Sequence, residues 1–299
     1  MWFLLAAASA IFLGVYEVLK KVSVTSNAVL PVLLFSTVAS SLVMLPVWFA
    51  SHTGILSQEH LLYIPATTPR EHLLIFIKTI IVLISWIFTY FALKHLPITI
   101  VSPIRATGPL WTLMGAIIIF REQLSWMQWC GIGVTLTFFY LFSTSGHKEG
   151  ISFRNNKWIW FIILGTLSGA ASSLYDKFLL KQIHRMSVQC YFTFYQVAIM
   201  LPVVALLWWP KRASTTPFKW KWSIPLIGIT LLVTDFLYFF ALSHPESLVS
   251  VVSAIRRGSV VIAFIVGAWV FKEKRIREKG VYLAGILTGI ALLLFGSAH

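Results

Sequence analysis

Ten apolar runs divide the chain, at 2–19, 28–49, 72–93, 97–120, 126–144, 157–178, 188–209, 223–242, 246–271 and 279–297. Most approach the roughly 20 residues that a helix needs to cross a bilayer. Inside them apolar residues follow one another without the period-two alternation of a barrel strand, so the runs predict helices. A helix also satisfies every backbone polar group within its own segment, as hydrocarbon requires. The polar stretches between runs are short, the longest being 50–71, 145–157 and 210–222. None can bury a core of its own. The expected fold is an all-α integral membrane protein of ten transmembrane helices, working inside the bilayer.

Composition agrees. The chain is 58% hydrophobic and 11% charged, where a soluble domain averages about 25% charged. Its mean hydropathy is +0.82. A net charge of +14 would suggest nucleic acid in a soluble protein. Here most basic residues flank the apolar runs, where they anchor helices and set topology, so no nucleic-acid partner is expected. Cys130 and Cys190 both fall inside runs, which makes them apolar fillers rather than a disulfide or metal framework. No metal site and no cofactor are expected. The opening MWFLLAAASA looks like a signal peptide with a small-residue cleavage site but lacks a basic start. It is expected to remain as the first helix.

The chain also repeats itself at half its length. SPIRATGPLWTLMGAIIIFRE (102–122) matches SAIRRGSVVIAFIVGAWVFKE (253–273), pairing Arg105 with Arg256 and Glu122 with Glu273. FALKH (91–95) matches FALSH (240–244), MLPV (44–47) matches MLPV (200–203), and GVYE (14–17) matches SLYD (173–176). The matches keep their order. Each half then holds five helices, over 1–144 and 157–299, with 145–156 as linker. Five is odd, so the second half enters the membrane from the opposite side. Two inverted five-helix repeats are typical of secondary transporters, with a solute site near the midplane where the repeats meet. Such a pair is already a complete carrier, so a monomer is expected.

At FALKHLPITIVSPIRATGPLWTLMGAIIIFREQLSWMQWCGIGV and FALSHPESLVSVVSAIRRGSVVIAFIVGAWVFKEK the chain resembles the EamA branch of the drug/metabolite transporter superfamily. In each segment a small-residue helix is followed by an acid and then a glycine-bearing helix. The resemblance covers essentially the whole chain. It implies ten helices in two repeats, in a bacterial plasma (inner) membrane, around a cavity lined by helices one, three, four, six, eight and nine. Phosphate-carrying relatives place basic residues in helix nine, which Arg256 and Arg257 resemble. The related small multidrug transporters carry a glutamate in helix one, three residues before a glycine. Ile11 stands at that position here, which argues against lipophilic cations as cargo.

Five ionisable residues fall well inside the runs: Arg105, Arg256, Arg257, Asp235 and Lys78. A charge at the centre of a bilayer helix costs a few kcal/mol even on lenient scales, so such groups face water or pair with one another. Helix direction places Asp235, Arg256 and Arg257 at similar depth on one side. Arg105 lies nearer the other side. Asp235 offsets one cation, leaving a surplus of about three positive charges by this count. An anionic solute held by guanidinium forks would balance it. All five are candidate substrate-binding residues.

Structural roles are open beside that reading. Consecutive helix positions point about 100° apart, so Arg256 and Arg257 cannot both face one ligand. Lys78 is placed to snorkel toward the interface. Pro103 and Pro109 bracket Arg105, either as a packing kink or to free carbonyls near a cavity. Glu17 and Asp176 read as interfacial salt bridges at helix ends, Glu17 with Lys20 or Lys21, and otherwise as gates or proton sites. GTLSG (165–169) and GILTG (285–289) let helices approach closely. Tyr195 and Gln196 could donate to a ligand. His95 and His244 carry no assigned role.

The function expected is a secondary transporter of a small anionic metabolite, phosphorylated or carboxylated. No GxxxxGK[ST] stretch occurs, so gradients or exchange must drive it. An exporter of neutral amino acids or drug-like compounds, with structural arginines, is the alternative. A lipid-modifying enzyme is remote: the histidines lie mostly in loops, the acids are scattered, and no catalytic residues stand out. Loop charges run about fifteen to five in favour of the odd-numbered loops, which places those loops in the cytoplasm and both termini outside. The family resemblance implies both termini inside.

Overall fold

The structure, a computed structural model, describes residues 2–108, 110, 111, 114, 125–146, 153–180, 182–242, 249–271 and 275–296. Among the described residues there are ten α-helices and no strand. They are α1 (Trp2–Val24), α2 (Val29–His52), α3 (Pro69–His95), α4 (Ile98–Ala106), α5 (Trp126–Gly146), α6 (Lys157–Leu180), α7 (Arg185–Val203), α8 (Ser223–Leu242), α9 (Val249–Phe271) and α10 (Ile276–Gly296). After Pro202, which has no N–H to give, α7 widens into a π turn over Val204–Trp208 and closes as a 3-10 turn over Trp209–Lys211.

Short links reverse the chain from α1 to α2 and from α3 to α4, with α2 and α3 running between the two ends. The end of α1, the start of α2, the end of α3 and the start of α4 therefore share one end of the bundle. Lys94, Lys211, Lys219 and Lys221 gather there, and it is called the basic end below. Much of that charge closes helix termini. Lys21 donates to the carbonyls of Leu93 and Leu96 at 2.6 Å each, capping α3 from α1. Lys221 donates to Val22 and Thr25 at 2.7 and 2.8 Å, capping α1. Cations belong at helix C-termini, where carbonyls have no helical partner.

At the opposite end α3 starts with a capping box. The Glu71 N–H donates to the Thr68 hydroxyl, the Thr68 N–H donates to the Glu71 carboxylate at 2.6 Å, and Pro69 takes the first helical position.

Among the described residues, four helical segments are long and apolar enough to cross a bilayer: Val29–His52, Pro69–His95, Lys157–Leu180 and Arg185–Lys211. Large apolar side chains such as Leu42, Phe49, Leu73 and Trp269 point outward, a surface suited to hydrocarbon. The chain is an integral membrane protein.

Inside, α1 packs along α8 and α9, α3 along α6, α5 along α10, and α2 against α7 and α8. One buried cluster joins Tyr16, Leu33, Leu93, Ile98, Ile104, Phe142, Ile159 and Ile227. The glycines of the two G-x-x-x-G stretches lie at helix contacts. A Cβ on Gly165 would come within 2.7 Å of the Thr89 hydroxyl, and one on Gly289 within 2.7 Å of the Thr135 nitrogen. Small residues there let helix backbones meet. Cys190 is buried beside Met44, Ile64, Met186 and Leu232.

Candidate functional site

A small cavity of about 50 Å³ lies between α1, α4 and α9. Leu13 and Glu17 come from α1, Val101, Ser102 and Arg105 from α4, and Ser259 and Ala263 from α9. The resemblance implied walls from six helices, and three of them supply these residues. The space is water-sized, well below the roughly 300–1,000 Å³ of a small-molecule pocket. A whole metabolite fits only if the walls part.

Arg105 sits on this wall beside a one-residue break at Thr107, after which helical residues resume at Gly108. Pro103 lies within the helix, and regular helix ends at Ala106. The Thr107 hydroxyl turns back to the Ile104 carbonyl at 2.7 Å and accepts from the Trp111 indole at 3.1 Å. Pro109, which lies outside the described residues, has no N–H to return to the Arg105 carbonyl.

The Arg105 guanidinium pairs with Glu17. The same Glu17 oxygen accepts from Lys20 at 2.8 Å. Lys20 is sealed, its side chain 1% exposed, with its ammonium 4.2 Å from the centre of the Tyr16 ring and 5.5 Å from that of Tyr90. Arg105 is 35% exposed.

Glu17 was expected at a helix end, paired to Lys20 or Lys21. The Lys20 pair is present. The position is corrected, because α1 runs on to Val24 and leaves Glu17 seven residues inside it. Lys20 and Lys21 end the apolar run without ending the helix, since both turn into protein. The repeat match of GVYE with SLYD held the available signal: an acid at the matched position of both segments.

The other candidates lie toward the opposite end of the bundle. Asp235 accepts from Arg256 at 2.7 Å, one of the two arginines that helix direction set level with it. The Arg256 guanidinium also lies over the Tyr238 ring at 4.0 Å. Its Nε is buried and has no hydrogen-bond partner among the described residues. Neither Asp235 nor Arg256 lines the cavity. The Arg257 side chain lies outside the described residues.

Lys78 does not snorkel. It is 6% exposed, pairs with Asp176 across α3 and α6, and lies 4.9 Å from the centre of the Phe192 ring. Tyr195 shares a hydrogen bond with His72 at 2.8 Å, and Gln196 is buried. His95 stacks on Trp158 with ring centroids 3.7 Å apart. His244, Glu122 and Glu273 lie outside the described residues.

These partners change the charge count. Sequence reading set Asp235 alone against the interior cations. Glu17 and Asp176 supply two more carboxylates, so Arg105, Arg256 and Lys78 each have an acid. The expected surplus of about three shrinks accordingly, although Glu17 also serves the buried Lys20.

The helical bundle and its buried ion pairs define a polytopic membrane protein with a charged interior. Residues 1–144 match the EamA-like transporter family. No curated protein matches the sequence. The whole fold is similar to a crystal structure described only as that of a protein, with TM-score 0.62 and 14% identity, covering 97% of this chain and 96% of that one. It is one of 21 solved chains that match. At that identity the likeness concerns the fold.

Proposed function

We propose that the chain is a secondary transporter of a small organic anion, carboxylated or phosphorylated, working by alternating access between two inverted halves. The observation that carries the reading is Arg105. It is a guanidinium on the wall of an internal cavity, among helices otherwise apolar, and it is the exposed cation of its cluster. A fork of N–H donors in a low-dielectric site suits carboxylate or phosphate oxygens.

Packing supports the repeat. The matched sequences pair α1 with α6 and α3 with α8. The close contacts α1 with α8 and α6 with α3 are then equivalent, each first helix lying on the third helix of the other half. The carrier is expected to act as a monomer, in a bacterial inner membrane.

A second reading has its own support. Because Arg105, Arg256 and Lys78 each hold a carboxylate, they could be structural, and the cargo a neutral amino acid or drug-like compound.

Thermal unfolding in detergent against sugar phosphates, carboxylates, nucleotides, neutral amino acids and lipophilic cations separates the two. A ligand at a hundred times its Kd adds about 2.7 kcal/mol to the folded state. Anions are expected to raise the melting temperature of the wild type and not of Arg105→Gln. Neutral solutes raising both equally would establish the second reading instead.

A further inference from the structure

Glu17 stands where the acid group of a solute would stand. One of its oxygens bridges two cations, Arg105 and Lys20. The two differ in access. Lys20 lies beneath the Tyr16 and Tyr90 rings and is 1% exposed, whereas Arg105 opens onto the cavity. An entering anion therefore reaches Arg105 and not Lys20.

Charge points the same way. In their usual ionised forms the three groups carry one net positive charge. Moving Glu17 wholly onto Lys20 and placing an anion on Arg105 leaves two neutral pairs, with no charge stranded in a low-dielectric interior. The bridge means that Glu17 need not travel: it gives up one of two partners and keeps the other. Ser102 and Ser259 set hydroxyls on the same wall, where they can complete the shell of an oxyanion.

We infer that Glu17 is a displaceable counter-ion. The anionic group of the solute takes its place on Arg105 while Lys20 retains it, so Glu17 and Lys20 together set how tightly anions bind. This rests on the transport reading above, because it needs an anion at Arg105.

The two residues should act in opposite directions. Glu17→Gln removes the internal competitor and is expected to tighten binding of acetate and inorganic phosphate by about tenfold or more, the scale of a charged hydrogen bond. Lys20→Gln leaves Glu17 wholly to Arg105 and is expected to weaken binding of the same probes by a similar factor. Glu17→Asp keeps the charge and is expected to stay nearer the wild type.

Titration of the purified full chain in detergent, followed by thermal shift, reads the wild type, these three variants and Arg105→Gln. Their unliganded melting curves show that each is folded. If Lys20→Gln fails to fold, the Glu17→Gln arm decides alone. Weaker or unchanged binding in Glu17→Gln overturns the inference. If Arg105→Gln still abolishes the shift in that case, anion transport stands without it. A wild type that neither probe shifts overturns both.

Discussion

Arg105 and Arg256 stand at the same depth from opposite ends of the bundle. Each lies seven residues beyond the first residue of its helix, Ile98 of α4 or Val249 of α9, about 10 Å along the axis at 1.5 Å per residue. Each pairs with a carboxylate seven residues from the end of another helix, Glu17 of α1 or Asp235 of α8. Their partners come from different positions of the repeated unit, so similar depths are reached by dissimilar wiring.

The pair between Lys78 and Asp176 ties α3 to α6 across the two halves. Lys78→Met leaves Asp176 without its cation and is expected to cost about 1–3 kcal/mol. Replacing Asp176 by Leu in the same protein should recover much of that loss, because a well-packed apolar pair can equal a buried ion pair. A double-mutant cycle on thermal unfolding measures this. Strict additivity would contradict the coupling.

Gly14 sets how closely α1 meets α9. A Cβ there would stand 2.6 Å from Ile262 Cγ2 and 3.1 Å from the Ser259 carbonyl. Gly14→Ala is expected to cost about 1–3 kcal/mol through overpacking and to lower the melting temperature. An unchanged melting temperature would show that the two helices part easily.

Much of the architecture was legible from the sequence. Apolar run length marked the ten helices among the described residues, and helix direction set Asp235 level with Arg256 and Arg257. The pair between Glu17 and Arg105 was not legible. A charge beside two lysines reads as the end of a membrane segment unless something shows that the lysines turn inward. Lys78 was misread for the same reason. Its distance from a helix end fits snorkelling, and only the packing of α6 and α7 shows that Asp176 and Phe192 enclose it.

His184 caps α7 at the end opposite the basic one. Its Nδ1 accepts from the Met186 N–H at 3.3 Å. Burial, then the charge of Arg185, holds its pKa below the ordinary histidine value. The fold thus favours neutral imidazole, which alone can accept. Its contribution is complete above about pH 6.5 and is lost as pH falls through the lowered folded value. His184→Asn keeps an acceptor. It should remove this acid-sensitive component from the pH profile of unfolding.

The loop charges carry a prediction of orientation. Lys20, Lys21 and Lys279 are buried and drop out of the loop count. The excess of Lys and Arg at the basic end remains, and it places that end in the cytoplasm. Cysteine is put at exposed Ser214 or at exposed Thr53 in a chain with Cys130 and Cys190 replaced by Ala. An impermeant thiol reagent on intact cells is expected to label position 53 and spare 214. The reverse would place both termini in the cytoplasm, as the family resemblance implied.

The most direct test of anion transport is uptake of radiolabelled carboxylates and phosphorylated metabolites into liposomes holding the purified protein. At least one anion is expected to accumulate by exchange in wild-type vesicles and to fall to the empty-vesicle level with Arg105→Gln. Transport of neutral solutes alone, at equal rates in both proteins, would contradict the role given to Arg105 and to the cavity it lines.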